Sequence, residues 1–87
     1  MIKILYSERF IKSARKLPKN QKEKLTDLLG IMKENPFHSK LHSKPLTGKL
    51  SGLYSFRITR DWRVVFHFLS PEEINLLEVG HRKDIYR

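Results

Sequence analysis

Three arginines carry the clearest chemistry in this chain: Arg57, Arg63 and Arg82. An alternating stretch from Leu53 to Thr59 sets Tyr54, Phe56 and Ile58 on one side and Ser55, Arg57 and Thr59 on the other. A second, Trp62 to Phe68, sets Val64, Phe66 and Phe68 against Arg63, Val65 and His67. If both apolar sets face one core, Arg57 and Arg63 project together from the opposite face. Arg82 joins them if Leu77 and Val79 enter the core. Like charges on neighbouring strands repel, and a phosphate is the group that relieves a guanidinium cluster. The plain alternative is a solvated sheet face on which arginine is common.

Other residues could move protons or hold bases. His42, in a basic linker, and His81, beside Arg82, could exchange protons at neutral pH. His67 lies late in its strand and reads as structural. Tyr86, flanked by charge near the C-terminus, could stack on a base or pack the tail on the sheet. Trp62, in the hairpin loop, has the same two readings. Such a set suits phosphodiester cleavage in RNA without metal. There the ribose 2′-hydroxyl attacks phosphorus, and the protein orients the chain, moves two protons and stabilises charge. Plain RNA binders share the same residue types.

Other chemistries are excluded by what is missing. There is no cysteine, hence no disulfide, thiolate nucleophile or cysteine-based zinc site. The histidines at 38, 42, 67 and 81 show no paired helical spacing, so no metal site or cofactor is expected. Walker, dinucleotide and nucleophile-elbow motifs are absent. In 87 residues, 18 Lys and Arg face 9 Asp and Glu, a formal net charge of +9. That excess favours a polyanionic partner. No apolar run approaches the roughly 20 residues that span a bilayer, and MIKILYSERF is too short for a signal-peptide core. A cytoplasmic protein without membrane partners is expected.

The elements that must position these residues follow from periodicity. Ile2 to Tyr6 reads as a short strand, and Ser7 as the N-cap of a helix bearing Phe10, Ile11, Ala14 and Leu17. Pro18 separates it from a second helix, whose stripe is Leu25, Leu28, Leu29 and Met32 and whose end is Asn35-Pro36. Residues 37–52 form a basic linker with little periodicity, holding Lys40, Lys44 and Lys49. Pairing Ile58 with Val64 and Phe56 with Phe66 leaves Arg60, Asp61 and Trp62 as a three-residue loop and sets Thr59 opposite Arg63. Ser70 to Glu73 is a turn, and Ile74 to Val79 the last strand. The expectation is one α+β domain over 1–87, ordered β-α-α-β-β-β. Two helices cover one face of a mainly antiparallel four-stranded sheet, and cations occupy the other.

The runs Pro45-Leu46-Thr47-Gly48, Leu50-Ser51-Gly52-Leu53-Tyr54-Ser55-Phe56-Arg57-Ile58, Asp61-Trp62-Arg63-Val64-Val65-Phe66 and Val79-Gly80-His81-Arg82-Lys83-Asp84-Ile85-Tyr86 resemble the RelE/ParE toxin superfamily. They are most similar to its RelE, YoeB and YafQ group, messenger-RNA endonucleases of type II toxin–antitoxin pairs. Length and element order agree along essentially the whole chain. The resemblance implies a RelE-like fold and a ribosome-dependent ribonuclease that cuts mRNA in the decoding site without metal. It also implies a cognate antitoxin with an acidic amphipathic segment.

By position, the resemblance makes Arg63 the arginine that stabilises the scissile phosphate and Arg57 a second basic position. Arg82, or His81 under a one-residue shift, matches a basic or histidine position before the tail, and Tyr86 the terminal aromatic. Asp61-Trp62 matches the Asp-Trp pair of YafQ-like members, and His42 their loop histidine. Catalysis is thus expected from Arg57, Arg63, His81, Arg82 and Tyr86. RNA binding is expected from His42, Lys44, Lys49, Arg60, Asp61 and Trp62. The glutamate base of YoeB-like members has no counterpart, and Ser55 stands where a RelE lysine would be. The general base is left between His81 and His42. Two other readings stay open: a ParE-like inhibitor of DNA gyrase, and a non-catalytic RNA-binding protein or decayed toxin.

Overall fold

Ser7 opens the helical region as expected: its Oγ accepts from Phe10 N at 3.0 Å and donates to Leu77 O at 3.0 Å. One hydroxyl thus caps a helix and ties it to the sheet. In this computed structural model, which describes residues 1–86, β1 is Lys3–Tyr6, α1 Glu8–Arg15 and α2 Lys19–Glu34. Pro18 caps α2, and Asn35 leaves helical geometry with φ −156°. After two residues of β2 (Lys44–Pro45) come β3 (Tyr54–Arg57), β4 (Trp62–Ser70), β5 (Glu73–His81) and a four-residue α3 (Arg82–Ile85). No helix among the described residues is long and apolar enough to cross a membrane.

The sheet has five strands in the order β1-β5-β4-β3-β2, with β1 parallel to β5 and the other pairings antiparallel. The extra strand comes from the linker expected to be irregular. Leu41, fully buried, anchors the linker in the core, and Lys44 and Pro45 then pair with Ser55 and Tyr54 along the sheet edge. The core lies between the helices and one sheet face. Phe10, Leu25, Leu28 and Met32 meet Phe56, Ile58, Val64, Phe66, Ile74, Leu76 and Val79. Burying such side chains stabilises by about 1.5–3 kcal/mol each, and it fixes which faces remain for function.

Three expectations need correction. The β3–β4 register is Phe56 with Val64, Arg57 with Arg63 and Tyr54 with Phe66. Ile58 and Thr59 therefore belong to the turn, where both backbone amides donate to Trp62 O at 2.8 and 3.3 Å. The longer turn is held from below, because the Arg63 guanidinium hydrogen-bonds Arg60 O. A shift of two leaves every side chain on its expected face.

The core takes Leu76, not Leu77. The register breaks between Val65 and Phe66, so that Val65 faces Glu78 while Phe66 faces Leu76. The resulting bulge reverses the alternation between Leu76 and Val79. Nor is the second sheet face purely cationic. Leu50, Leu53, Val65, Leu77 and Ile85 line a largely apolar cleft of about 380 Å³ there, and the cations gather at the turn end.

Candidate phosphate-binding site

Arg57 and Arg63 face each other directly across β3 and β4. Alternation sends both away from the helices, as Phe56 and Val64 turn inward. Arg63 is 7% exposed, yet its Nη2 and Nε donate to a carbonyl, Arg60 O, at 3.1 and 3.4 Å. Among the described residues neither Arg57 nor Arg63 has a carboxylate within ion-pair distance. Two adjacent cations, one of them buried, thus carry charge that no carboxylate among the described residues neutralises.

They open into a cavity of about 490 Å³ at the turn end of the hairpin. Its other lining cations are Arg60, Arg82, Lys24 and Lys40; His42, Ile58 and Thr59 complete the wall, and no acid contributes to it. α2 brings Lys24, the turn after Ser39 brings Lys40 and His42, and the start of α3 brings Arg82. Arg82 is clamped twice by the turn: its backbone N donates to Asp61 O at 2.7 Å, and its Nε lies 3.4 Å from the Asp61 carboxylate. His42 has φ 51°, left-handed backbone outside glycine, a geometry that histidine tolerates better than most residues.

The expected site residues divide. Arg57, Arg60, Arg63, Arg82 and His42 come together in the cavity. Asp61 stands behind it as the partner of Arg82. Tyr86 lies alongside: its OH donates to the buried Ser55 Oγ at 3.0 Å, and Ser55 shares the face of Arg57 one strand repeat away. Lys44 pairs with Ser55 on the edge strand, and Lys49 lies in the turn Gly48–Leu50, both outside the cavity lining.

His81 and Trp62 go elsewhere. They are paired residues on β5 and β4, on the helix side of the sheet. Their rings meet edge-on, 5.4 Å apart, in a separate cleft with Ser13, Lys16 and Leu17. His81 Nδ1 accepts from Lys83 N at 3.2 Å. The linear sequence gives no signal for Lys24, which only the crossing of α2 brings to the hairpin. Lys40 had one, as a member of the same basic run as His42.

The charge of this lining suits an anionic group, and a phosphodiester fits. Guanidinium forks match its oxygens, and strands fix Arg57 and Arg63 before it arrives. Among the described residues no three His, Cys, Asp or Glu side chains come together as a metal cluster.

Comparisons with known proteins agree with this architecture. No curated protein matches the sequence. Among solved structures, YafQ from E. coli strain BL21(DE3) superposes with a TM-score of 0.81 at 21% identity, covering 100% of both chains. A YoeB/ParE toxin from Agrobacterium tumefaciens gives 0.77 at 22% identity, covering 93% of this chain and 99% of that one. The archaeal RelE of a RelE–RelB complex from Pyrococcus horikoshii OT3 gives 0.77 at 22%, covering 95% and 97%. These likenesses establish the RelE-like fold. The family description that matches the sequence, over residues 8–82, is the YoeB-like toxin of bacterial type II toxin–antitoxin systems. With most of its length inside that match, and with the fold of the group, this chain belongs to the YoeB-like toxin family of the RelE/ParE superfamily.

Proposed function

We propose that this toxin is an endoribonuclease, an mRNA interferase that enters the ribosomal decoding site in the cytoplasm and cuts the bound message. The observation that carries the reading is Arg63: a buried guanidinium, opposite Arg57, opening into a cavity whose wall holds several cations and no acid.

In the proposed reaction the RNA supplies the nucleophile. The 2′-oxygen bonds to phosphorus and the bond from phosphorus to the 5′-oxygen breaks, giving a 2′,3′-cyclic phosphate and a 5′-hydroxyl. The 2′-hydroxyl proton passes to the imidazole of His42, the histidine that lines the cavity, and the departing 5′-oxygen takes one from water. Arg57 and Arg63 stabilise the phosphoryl oxygens as charge builds on them. Arg82 and Arg60 hold the flanking backbone, and Tyr86 stacks on a neighbouring base. No metal enters this scheme.

A cognate antitoxin is the second partner. YefM accompanies a YoeB from Staphylococcus aureus, and RelB accompanies the archaeal RelE. For this chain we propose an acidic amphipathic segment that lies on the cationic surface and keeps RNA out.

The test is cleavage of mRNA on programmed ribosomes, mapped by primer extension. Wild-type protein cleaves. Arg63→Ala loses roughly two to three orders of magnitude in rate, the usual effect of removing one transition-state donor, while circular dichroism stays native. Intact mRNA with relaxed plasmid DNA in expressing cells would instead support a ParE-like action on gyrase. Intact mRNA and normal growth without antitoxin would mark a non-catalytic binder.

A further inference from the structure

We infer that His81 is a positioning residue: its imidazole caps α3 and thereby holds Arg82 in the cationic cavity and Tyr86 on Ser55. Its consequence for cleavage rests on the ribonuclease reading above; its structural half does not.

α3 has four residues, Arg82–Ile85, far short of a helix that sustains itself. Its first backbone amides have no partner within the helix. Two are satisfied from outside: Arg82 N by Asp61 O at 2.7 Å, and Lys83 N by His81 Nδ1 at 3.2 Å. The imidazole is fixed on its other side by Trp62, edge-on at 79° with centroids 5.4 Å apart. Of the residues in α3, Ile85 alone is buried, so little apolar area holds the element and its cap weighs heavily.

What hangs on α3 is functional. Arg82, its first residue, lines the arginine cavity. Tyr86, directly after it, reaches Ser55 at 3.0 Å. The His81 ring lies in a different cleft, with Ser13, Lys16, Leu17 and Trp62. Accepting from Lys83 also commits Nδ1: its lone pair is engaged, and the neutral ring carries its proton on Nε2. To reach a phosphate in the arginine cavity the ring would have to leave Trp62 and uncap α3, releasing Arg82 and Tyr86. Capping and proton transfer there exclude each other, and the geometry has the cap in place.

Asparagine separates the two roles, since it caps helices well and carries no proton at neutral pH. His81→Ala and His81→Asn are compared in the full chain by cleavage on programmed ribosomes and by amide exchange at Lys83, with circular dichroism as the folding check. The expected result is a loss of about fivefold in cleavage and in Lys83 protection for Ala, the usual effect of removing a cap, and recovery of both to within about twofold for Asn.

An Asn variant that protects Lys83 but cleaves no better than Ala overturns the inference in favour of a proton carrier. So do wild-type Lys83 exchange in the Ala variant and an Asn variant that fails to fold. Wild-type protein that cleaves nothing defeats the ribonuclease reading, while the exchange measurements still decide the cap.

Discussion

Arg63→Met should make the free toxin more stable while disabling it. Met replaces the guanidinium with an unbranched apolar chain. In the native protein the Arg63 side chain is buried and faces Arg57 across the strand pair. At an effective dielectric of about 20, two unit charges repel by about 4 kcal/mol at about 4 Å and by about 2 kcal/mol at twice that separation; the lower figure is taken for this pair. Burying an unpaired cation adds a desolvation penalty of several kcal/mol. Against this stand the two hydrogen bonds to Arg60 O; bonds from a charged donor contribute about 1.5–3 kcal/mol each, about 3–6 kcal/mol together. The balance favours Met by about 1–2 kcal/mol.

For a domain of this size each kcal/mol moves Tm by about 4–8 °C, so a rise of roughly 5–10 °C is expected at low salt. A second arm follows from linkage. Inorganic phosphate that binds the arginines stabilises wild type, by about 2.7 kcal/mol at a hundredfold excess over Kd. It should leave Arg63→Met nearly unmoved. Chloride at matched ionic strength controls for screening of the repulsion. A Tm below wild type in the Met variant, or equal phosphate stabilisation of both proteins, would refute the reasoning: the carbonyl contact would then suffice for the cation, and no anion would be wanted.

Two other perturbations follow from named contacts. Tyr86→Phe removes the hydrogen bond to Ser55 Oγ and should lower stability by about 0.5–1.5 kcal/mol; thermal melts of this variant, Ser55→Ala and the double variant should give a coupling of about 1 kcal/mol, and strict additivity would deny the contact. Lys24→Gln and Lys40→Gln should each reduce the slope of log affinity against log salt for single-stranded RNA by about 0.7, measured by anisotropy titrations, whereas Lys3→Gln, on β1 away from the cavity, should leave the slope unchanged.

What the sequence could disclose was set by side-chain period. Alternation put Arg57 and Arg63 on one face, and that survived an error of two in their register, since even shifts preserve faces. The same logic failed at Leu77, where a bulge opposite Val65 and Phe66 inserts a residue that no pattern of apolar spacing marks. It also failed for β2, whose two residues are too few to alternate and which exist as a strand by pairing with Ser55 and Tyr54. Trp62 and His81 were legible as neighbours of Asp61 and Arg82, but alternation sends adjacent residues to opposite faces. The Asp61–Arg82 pair serves the cavity, while Trp62 and His81 pack behind it. Lys24 was out of reach, because a helix crossing places it and no local spacing does.

The choice of partners for these cations bears on how the site works. Had each arginine been paired with a carboxylate, an incoming phosphate would have to displace a full charge. Arg63 is held instead by a carbonyl, which carries a partial charge and competes weakly with a phosphodiester. Arg82 does have a carboxylate, but the pair is 3.4 Å apart with side chains 42% and 53% exposed; such an ion pair contributes at most about 1 kcal/mol. Among the cavity's cations, Arg57 and Arg63 are strand-borne with no ion pair among the described residues, and Arg82 is tail-borne, held by a weak pair it can exchange. Under the proposed function, a phosphate would engage Arg57 and Arg63 and compete with Asp61 for Arg82. In the same proposal, an acidic antitoxin segment would engage the same cations. Under the proposed function, RNA and antitoxin then compete for one set of charges, and inhibition needs no rearrangement of the core.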